Sequence, residues 1–250
     1  STALSRDWAA IVTIRRFMMA TGAMLTVLHA AIAFTPLYYT VVERWIGVPP
    51  AVVEPGRIGM TIMLPWSWAI GYRRFHQGVL IRFGHSSAVG AGTAVRLLTD
   101  CAVLAAGYAV GSMPGVVVGA SAIALGVTAE AVYTHWRAQP VVRQQLRPAP
   151  AGPPLTWRAF ADFYTPLALT SFLTLALQPI GSAAISRMPN PLDSLAAWPV
   201  LTGLVFMLRS AGIAYNEVVV ALLDEPGSYR NLRRFTWLLA ATVTGLHVAL

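Results

Sequence analysis

Ionisable and amide side chains are rare inside the apolar runs of this chain, so the few found there are where chemistry could sit. The stretch RSAGIAYNE supplies three of them, Arg209, Asn216 and Glu217. Arg209 and Asn216 are seven residues apart, which at about 100° per residue sets them almost on one face of a helix. Gly212, between them, leaves room for another group to approach closely. A guanidinium, an amide and a carboxylate in this arrangement could attract an anion. The carboxylate could also hold or release a proton, because an acid near Arg changes charge state as its surroundings change. A structural pair is the competing reading: Arg209 with Glu217, or with Asp162 or Glu130 on neighbouring helices. Gln178 and Pro179 add a second polar point, since proline frees a backbone carbonyl from the helix ladder. Glu130 reads equally as half of a buried pair or as a site. Arg73, Arg74 and His76 lie in the second half of an apolar stretch. Snorkelling to lipid phosphates accounts for them as well as substrate contact does. Arg96 and Asp100, four residues apart, read as a structural pair on one helix face.

Two histidines belong to a larger pattern. Residues 15–31 read RRFMMATGAMLTVLHAA and residues 233–249 read RRFTWLLAATVTGLHVA. The offset is 218 residues throughout, and between Ala3 and Ala31 ten of 29 positions equal their partners without a gap. Internal duplication is the simplest origin. His29 and His247 are therefore read as filling one packing or hydrogen-bonding niche twice, ahead of any metal or catalytic role.

Composition gives these residues their setting. Hydrophobic residues make up 56% of the chain and charged residues 11%, whereas a soluble domain is about a quarter charged. A polytopic, all-α membrane protein follows. The net charge of +8 does not indicate nucleic acid, because the arginines gather between apolar spans. The single cysteine, Cys101, excludes an internal disulfide. With roughly 20 residues needed per crossing, seven spans are expected: Ile11–Phe34, Ile58–Phe83 bent at Pro65, Gly92–Ser112, Val116–Trp136, Phe160–Ile185 interrupted by Pro166 and Pro179, Leu192–Leu223, and one beginning near Tyr229. Residues 137–158, rich in Pro and Arg, read as a linker.

Seven alternating spans put thirteen arginines on the side of the N-terminus and three (Arg44, Arg57 and Arg187) on the other. The positive-inside rule makes the first side cytoplasmic, in a cell membrane. Duplicated spans 1 and 7 cross in the same direction, which makes the two units parallel repeats of six helices each. The linker precedes the fifth span and so makes it the first helix of the second unit, which places the seven as helices 3–9 of twelve; the opening on Ser and the ending inside an apolar span read as those of a fragment. Residues 1–137 are then the last four helices of the first bundle, 138–155 a cytoplasmic linker, and 156–250 the first three helices of the second.

Two six-helix bundles joined by a cytoplasmic loop resemble the superfamily of multidrug, oligosaccharidyl-lipid and polysaccharide exporters. Within it, FYTPLALTSFLTLALQPIGSAAISR (163–187) and RSAGIAYNEVVVALLDEP (209–226) resemble helix 7 and the end of helix 8 of the progressive ankylosis protein family. VRLLTDCAVLAAG and LGVTAEAVYTHWR are similar to its helices 5 and 6. The likeness is spread over most of the chain and has no short signature. It implies an exporter of small anions such as pyrophosphate, citrate or nucleotides, working by alternating access, monomeric when full length and coupled to protons or Na+. It also implies that the helix bearing Arg209, second of its bundle, lines the central cavity. The alternatives within the superfamily are a lipid-linked oligosaccharide or polysaccharide flippase and a cation-coupled multidrug antiporter. The chain lacks an HExxH motif, a Gly-rich phosphate loop and an interfacial acid–base pair, so an enzyme is not expected, nor is a cofactor or metal. The sidedness is open to test: in a Cys101→Ala background, Gln145→Cys should be labelled by an impermeant maleimide only in inside-out vesicles, and Asn190→Cys only in intact cells.

Overall fold

The computed structural model describes residues 8–147, 157–222 and 227–249. The described residues are helical and contain no strand. The helices are α1 (Trp8–Phe34), α2 (Leu37–Tyr39), α3 (Pro50–Ile62), α4 (Leu64–Arg82), α5 (Ser86–Val110), α6 (Gly115–Val141), α7 (Trp157–Ile185), α8 (Pro191–Leu222) and α9 (Ser228–Ala249). Five of them, α1, α5, α6, α7 and α8, are long and apolar enough to cross a bilayer, the construction of an integral membrane protein. The other two expected spans fall outside that set, each carrying three arginines. α4 carries Arg73, Arg74 and Arg82, and α9 carries Arg230, Arg233 and Arg234.

Proline acts differently at different places. The expected bend at Pro65 is a break: α3 stops at Ile62 and α4 starts at Leu64, with Pro65 in its first turn. There the missing N–H costs nothing, because first-turn donors have no partner inside the helix. Pro166 and Pro179, expected to interrupt α7, lie inside a continuous helix, a use of proline that membrane helices tolerate. The linker expected at 137–158 is in part helical, since α6 runs on to Val141 and continues as a π-helical turn, Val142–Leu146. Residues 148–156 of that linker lie outside the described residues.

The chain divides into two compact units, Ser1–Ala183 and Ala184–Leu250. In the first, α6 packs against α3, α4 and α5, and α1 lies on α3 and α4. Ile11 and Ile14 of α1, Phe75, Val79 and Leu80 of α4, and Ala138 and Val141 of α6 form its main apolar cluster. His29 ties α1 across the α3–α4 break. Its Nε2 lies 3.0 Å from the Met60 carbonyl and its Nδ1 2.8 Å from the Ser67 hydroxyl. The carbonyl can only accept, so Nε2 carries the proton and Ser67 donates to Nδ1. Met60 is in the last turn of α3, where carbonyls need partners from outside the helix. This is the hydrogen-bonding niche expected of His29; the side chain of His247 lies outside the described residues. At the far end of α1, Arg57 donates to the Ala33 carbonyl at 3.0 Å and to the Tyr39 hydroxyl at 2.8 Å, and Tyr39 donates to Glu54 at 2.6 Å. Tyr38 donates to the Val53 carbonyl at 2.6 Å; burial, and after it the charge of Glu54, pushes its phenol above the usual tyrosine range.

In the second unit α8 and α9 pair through Tyr215, whose hydroxyl donates to the Leu232 carbonyl at 2.7 Å while its ring lies 5.0 Å from that of Phe235. In the first, glycine sets how closely α5 and α6 approach. A methyl group on Gly126 would collide with the Asp100 carboxylate and stand 3.2 Å from the Arg96 carbonyl oxygen, whereas one on Gly119 would meet nothing within 4 Å. Gly126→Ala should therefore destabilise the purified protein by about 1–3 kcal/mol, the usual cost of overpacking. Gly119→Ala should be neutral or slightly stabilising. Thermal unfolding of both variants in one detergent checks the contrast.

Candidate functional site

Arg73, His76 and Gln77 of α4 turn inward. Arg73 and Gln77 are four apart and share a face, and both reach Glu130 of α6. Arg73 Nη1 pairs with Glu130 Oε2, and Gln77 Nε2 donates to Glu130 Oε1 at 2.9 Å. Glu130 is 1% exposed, Gln77 5% and Arg73 6%, so this is a buried, charge-neutral unit with both carboxylate oxygens occupied. Its cause is legible in α6, where Ala122, Gly126, Glu130, Thr134 and Ala138 recur every fourth residue and all are buried. Small residues on either side of Glu130 bring the neighbouring helices close enough for their polar groups to reach it. From α5, Gly92 backs the site: a Cβ there would lie 3.5 Å from Glu130 Cγ and 3.3 Å from Thr134 Cγ2. Thr134 turns its hydroxyl back to the Glu130 carbonyl at 2.8 Å.

About one turn further along both helices is a second polar group. His76 Nδ1 lies 2.9 Å from the Tyr72 carbonyl oxygen, His76 and His135 meet at 3.1 Å, the Tyr72 hydroxyl is 2.6 Å from His135 Nδ1, and Gln139 is 3.0 Å from His135 Nε2. His135 and Gln139 are again four apart. On α5 the expected Arg96–Asp100 pair is present at 3.6 Å and half-exposed, with the second carboxylate oxygen set against Gly126.

The candidates chosen from sequence are thus distributed unevenly. Arg73 and Glu130 come together. Arg74 is exposed and reaches Gln77 Oε1 at 3.5 Å. Arg73 and His76 do not snorkel, since both are buried by α6; the carboxylate that draws Arg73 inward is 57 residues away in the chain. Gln178 is exposed on α7, and Arg209 is exposed on α8. Asn216 and Glu217 belong to α8, but their side chains lie outside the described residues. Glu130 is already held by Arg73 and Gln77, so it is not the counter-charge proposed for Arg209. Tyr72, His135 and Gln139 were missed; a signal existed in the i,i+4 spacing of Tyr72 with His76 and of His135 with Gln139. Among the described residues no group of three or more His, Cys, Asp or Glu is placed to hold a metal ion.

Compared with protein-family models, characterised proteins and solved structures, the chain matches none. The site must be read from its own chemistry. Breaking a buried pair by removing one partner costs about 3–5 kcal/mol, whereas apolar replacement of both is often neutral. Glu130→Leu should accordingly lower both expression and melting temperature, and the double variant Arg73→Met/Glu130→Leu should recover most of the loss. Failure of the double variant to recover would show that Gln77 and the surrounding shape, rather than charge pairing, hold the interface.

Proposed function

We propose that this chain forms part of a membrane transporter that moves small anions of the pyrophosphate, citrate or nucleotide class out of the cell by alternating access between two helical bundles. In this reading the five long apolar helices, together with α3–α4 and α9, make seven crossings of two parallel repeats, with the N-terminal side cytoplasmic. The family is the exporter superfamily that the sequence resembles, in its ankylosis-like branch. Arg209 carries the reading. It projects from a helix none of whose most apolar window is buried, between exposed Phe206, Met207 and Ile213. No ion pair joins it to any carboxylate among the described residues. Charged groups within such spans are costly and mark ion or substrate paths, and a guanidinium favours an anion as its partner.

Arginine also matches the substrate class, since its planar fork binds phosphate and carboxylate through two hydrogen bonds at once. Arg73, by contrast, is neutralised within the protein and contributes architecture to this scheme. The test is uptake of pyrophosphate, citrate and ATP into inside-out vesicles, with a lipid-linked sugar and a cationic drug as the competing substrates of a flippase or a drug antiporter. Arg209→Gln should lower anion uptake about tenfold, the worth of ~1.4 kcal/mol, with the melting temperature unchanged. Equal anion uptake by a stable Arg209→Gln protein would refute the assignment, and a matching loss of stability would make Arg209 a structural partner instead.

A further inference from the structure

The Tyr72–His76–His135–Gln139 group is used neither by the ion pair nor by the anion reading. Its hydrogen bonds fix where the protons are. His76 Nδ1 faces the Tyr72 carbonyl oxygen at 2.9 Å, so it carries a proton, and Nε2 of neutral His76 is a lone pair. That lone pair meets His135 Nδ1 at 3.1 Å. His135 Nδ1 therefore carries the proton between the rings, and the Tyr72 hydroxyl oxygen accepts a share of it at 2.6 Å. His135 Nε2 is left as an acceptor, and the Gln139 amide nitrogen donates to it at 3.0 Å. With both rings neutral, all four ring nitrogens have partners.

Adding one proton preserves that property. A proton arriving at His135 Nε2 lets His135 pass its Nδ1 proton to His76 Nε2. His135 ends neutral with its hydrogen on Nε2, and His76 ends as the cation with hydrogens on both nitrogens. Gln139 turns its amide to accept through its oxygen, and the Tyr72 hydroxyl rotates to donate to His135 Nδ1. Every contact keeps a hydrogen, with His135 Nδ1 offering one lone pair to both His76 and Tyr72 where before it shared one hydrogen between them. A buried group left without a donor or acceptor is destabilising, so a set of contacts that survives a change of charge is what a proton site needs.

We propose that the His76–His135 pair is a proton-binding site holding a single proton shared between the rings, and that this proton is the ion coupled to anion movement. The coupling half rests on the transport reading above. The route in is short: His76 is buried while His135 and Gln139 are half-exposed, and His135 lies six residues before the end of α6, about 9 Å along its axis. On the pair's own helices Arg74, Arg82 and Arg137 are exposed. On α4 and α6, Arg73 and Glu130 close on each other. On α1, Arg15 is exposed. On α5, Arg96 and Asp100 pair, and α3 contributes Glu54 and Arg57, bound up with Tyr39.

The experiment uses the protein in liposomes, inorganic pyrophosphate as the probe, and a one-unit pH gradient at zero membrane potential. One proton per anion should drive about tenfold accumulation at equilibrium, the worth of one pH unit. His135→Gln should bring the ratio to about one. A variant that is merely slower or less stable would still reach the full ratio, so the equilibrium value separates coupling from structure. A ratio that stays near tenfold in His135→Gln overturns the proposal, as does a wild type that transports pyrophosphate without responding to the gradient. Should His135→Gln fail to fold, His76→Asn, whose amide can still donate to the Tyr72 carbonyl, takes its place with the same expectations. Absence of pyrophosphate transport in the wild type would sink the transport reading alone. The proton site is then decided by 15N spectra of the histidines between pH 8 and pH 5. A single proton moving the His76 and His135 signals together supports it; two independent titrations, or none, overturns it.

Discussion

Glu130 is the group on which the described helices of the first unit depend. A carboxylate taken out of water costs several kcal/mol and is tolerated only when pairing and hydrogen bonds answer it in full. Here the answer comes from a single neighbouring helix, with Arg73 on one oxygen and Gln77 on the other. Those two partners are four residues apart, so they fix the rotation of α4 about its axis as well as its position along α6. A slip of one residue would turn both away by about 100° and leave the acid unanswered. The third helix is admitted by an absence: Gly92 of α5 meets Glu130, Tyr133 and Thr134 where a side chain would already be tight.

The same constraint explains why α4 is not apolar enough to count as a span on composition. Its polar residues are directed at α6, and two of its three arginines, Arg74 and Arg82, remain exposed. The hydropathy of a helix reports its whole surface, whereas the medium meets only the outer part. A helix with an inward polar face therefore reads as less apolar than the surface it shows, and α4 is that case. α9 carries its three arginines in its first two turns, all exposed, so its low hydropathy has a different origin: charge at one end of the helix.

Much of the helical layout was legible because it depends on local pattern. Apolar runs marked α1, α7, α8 and the start of α9 to within a few residues, although α5 begins at Ser86 rather than Gly92 and the second expected span is two helices, α3 and α4; the Arg96–Asp100 pair followed from its spacing alone. The niche of His29 was foreseen in kind, though Ser67 and the Met60 carbonyl were not. Long-range pairing was not legible. Arg73 and His76 read as snorkelling because nothing within their own helix opposes that, and Glu130 could be assigned to them only once α4 lay beside α6. Pro166 and Pro179 misled for the opposite reason: proline's local cost is fixed, but a long apolar helix can accommodate it without ending. The four small residues spaced every fourth position around Glu130 were a sequence feature that could have shown where the neighbouring helices meet.

The two polar layers of the α4–α6 interface also differ in what a change of charge would do to them. In the Glu130 layer the guanidinium of Arg73 can only donate, and Arg74, reaching the Gln77 oxygen at 3.5 Å, keeps that amide's nitrogen towards the carboxylate, so protonating the acid would set its new hydroxyl against two donors. That layer is locked into one charge state by the chemistry of guanidinium and amide. The histidine layer is built from groups that both donate and accept, namely imidazole, hydroxyl and an amide able to rotate, so its hydrogen-bond directions can reverse together. Placed one turn apart on the same pair of helices, the first layer holds register while the second can change charge without disturbing it. The order matters as well. The locked layer is the more deeply buried, and the reversible one lies nearer the helix ends, where His135 and Gln139 are half-exposed and a proton has the shorter distance to travel.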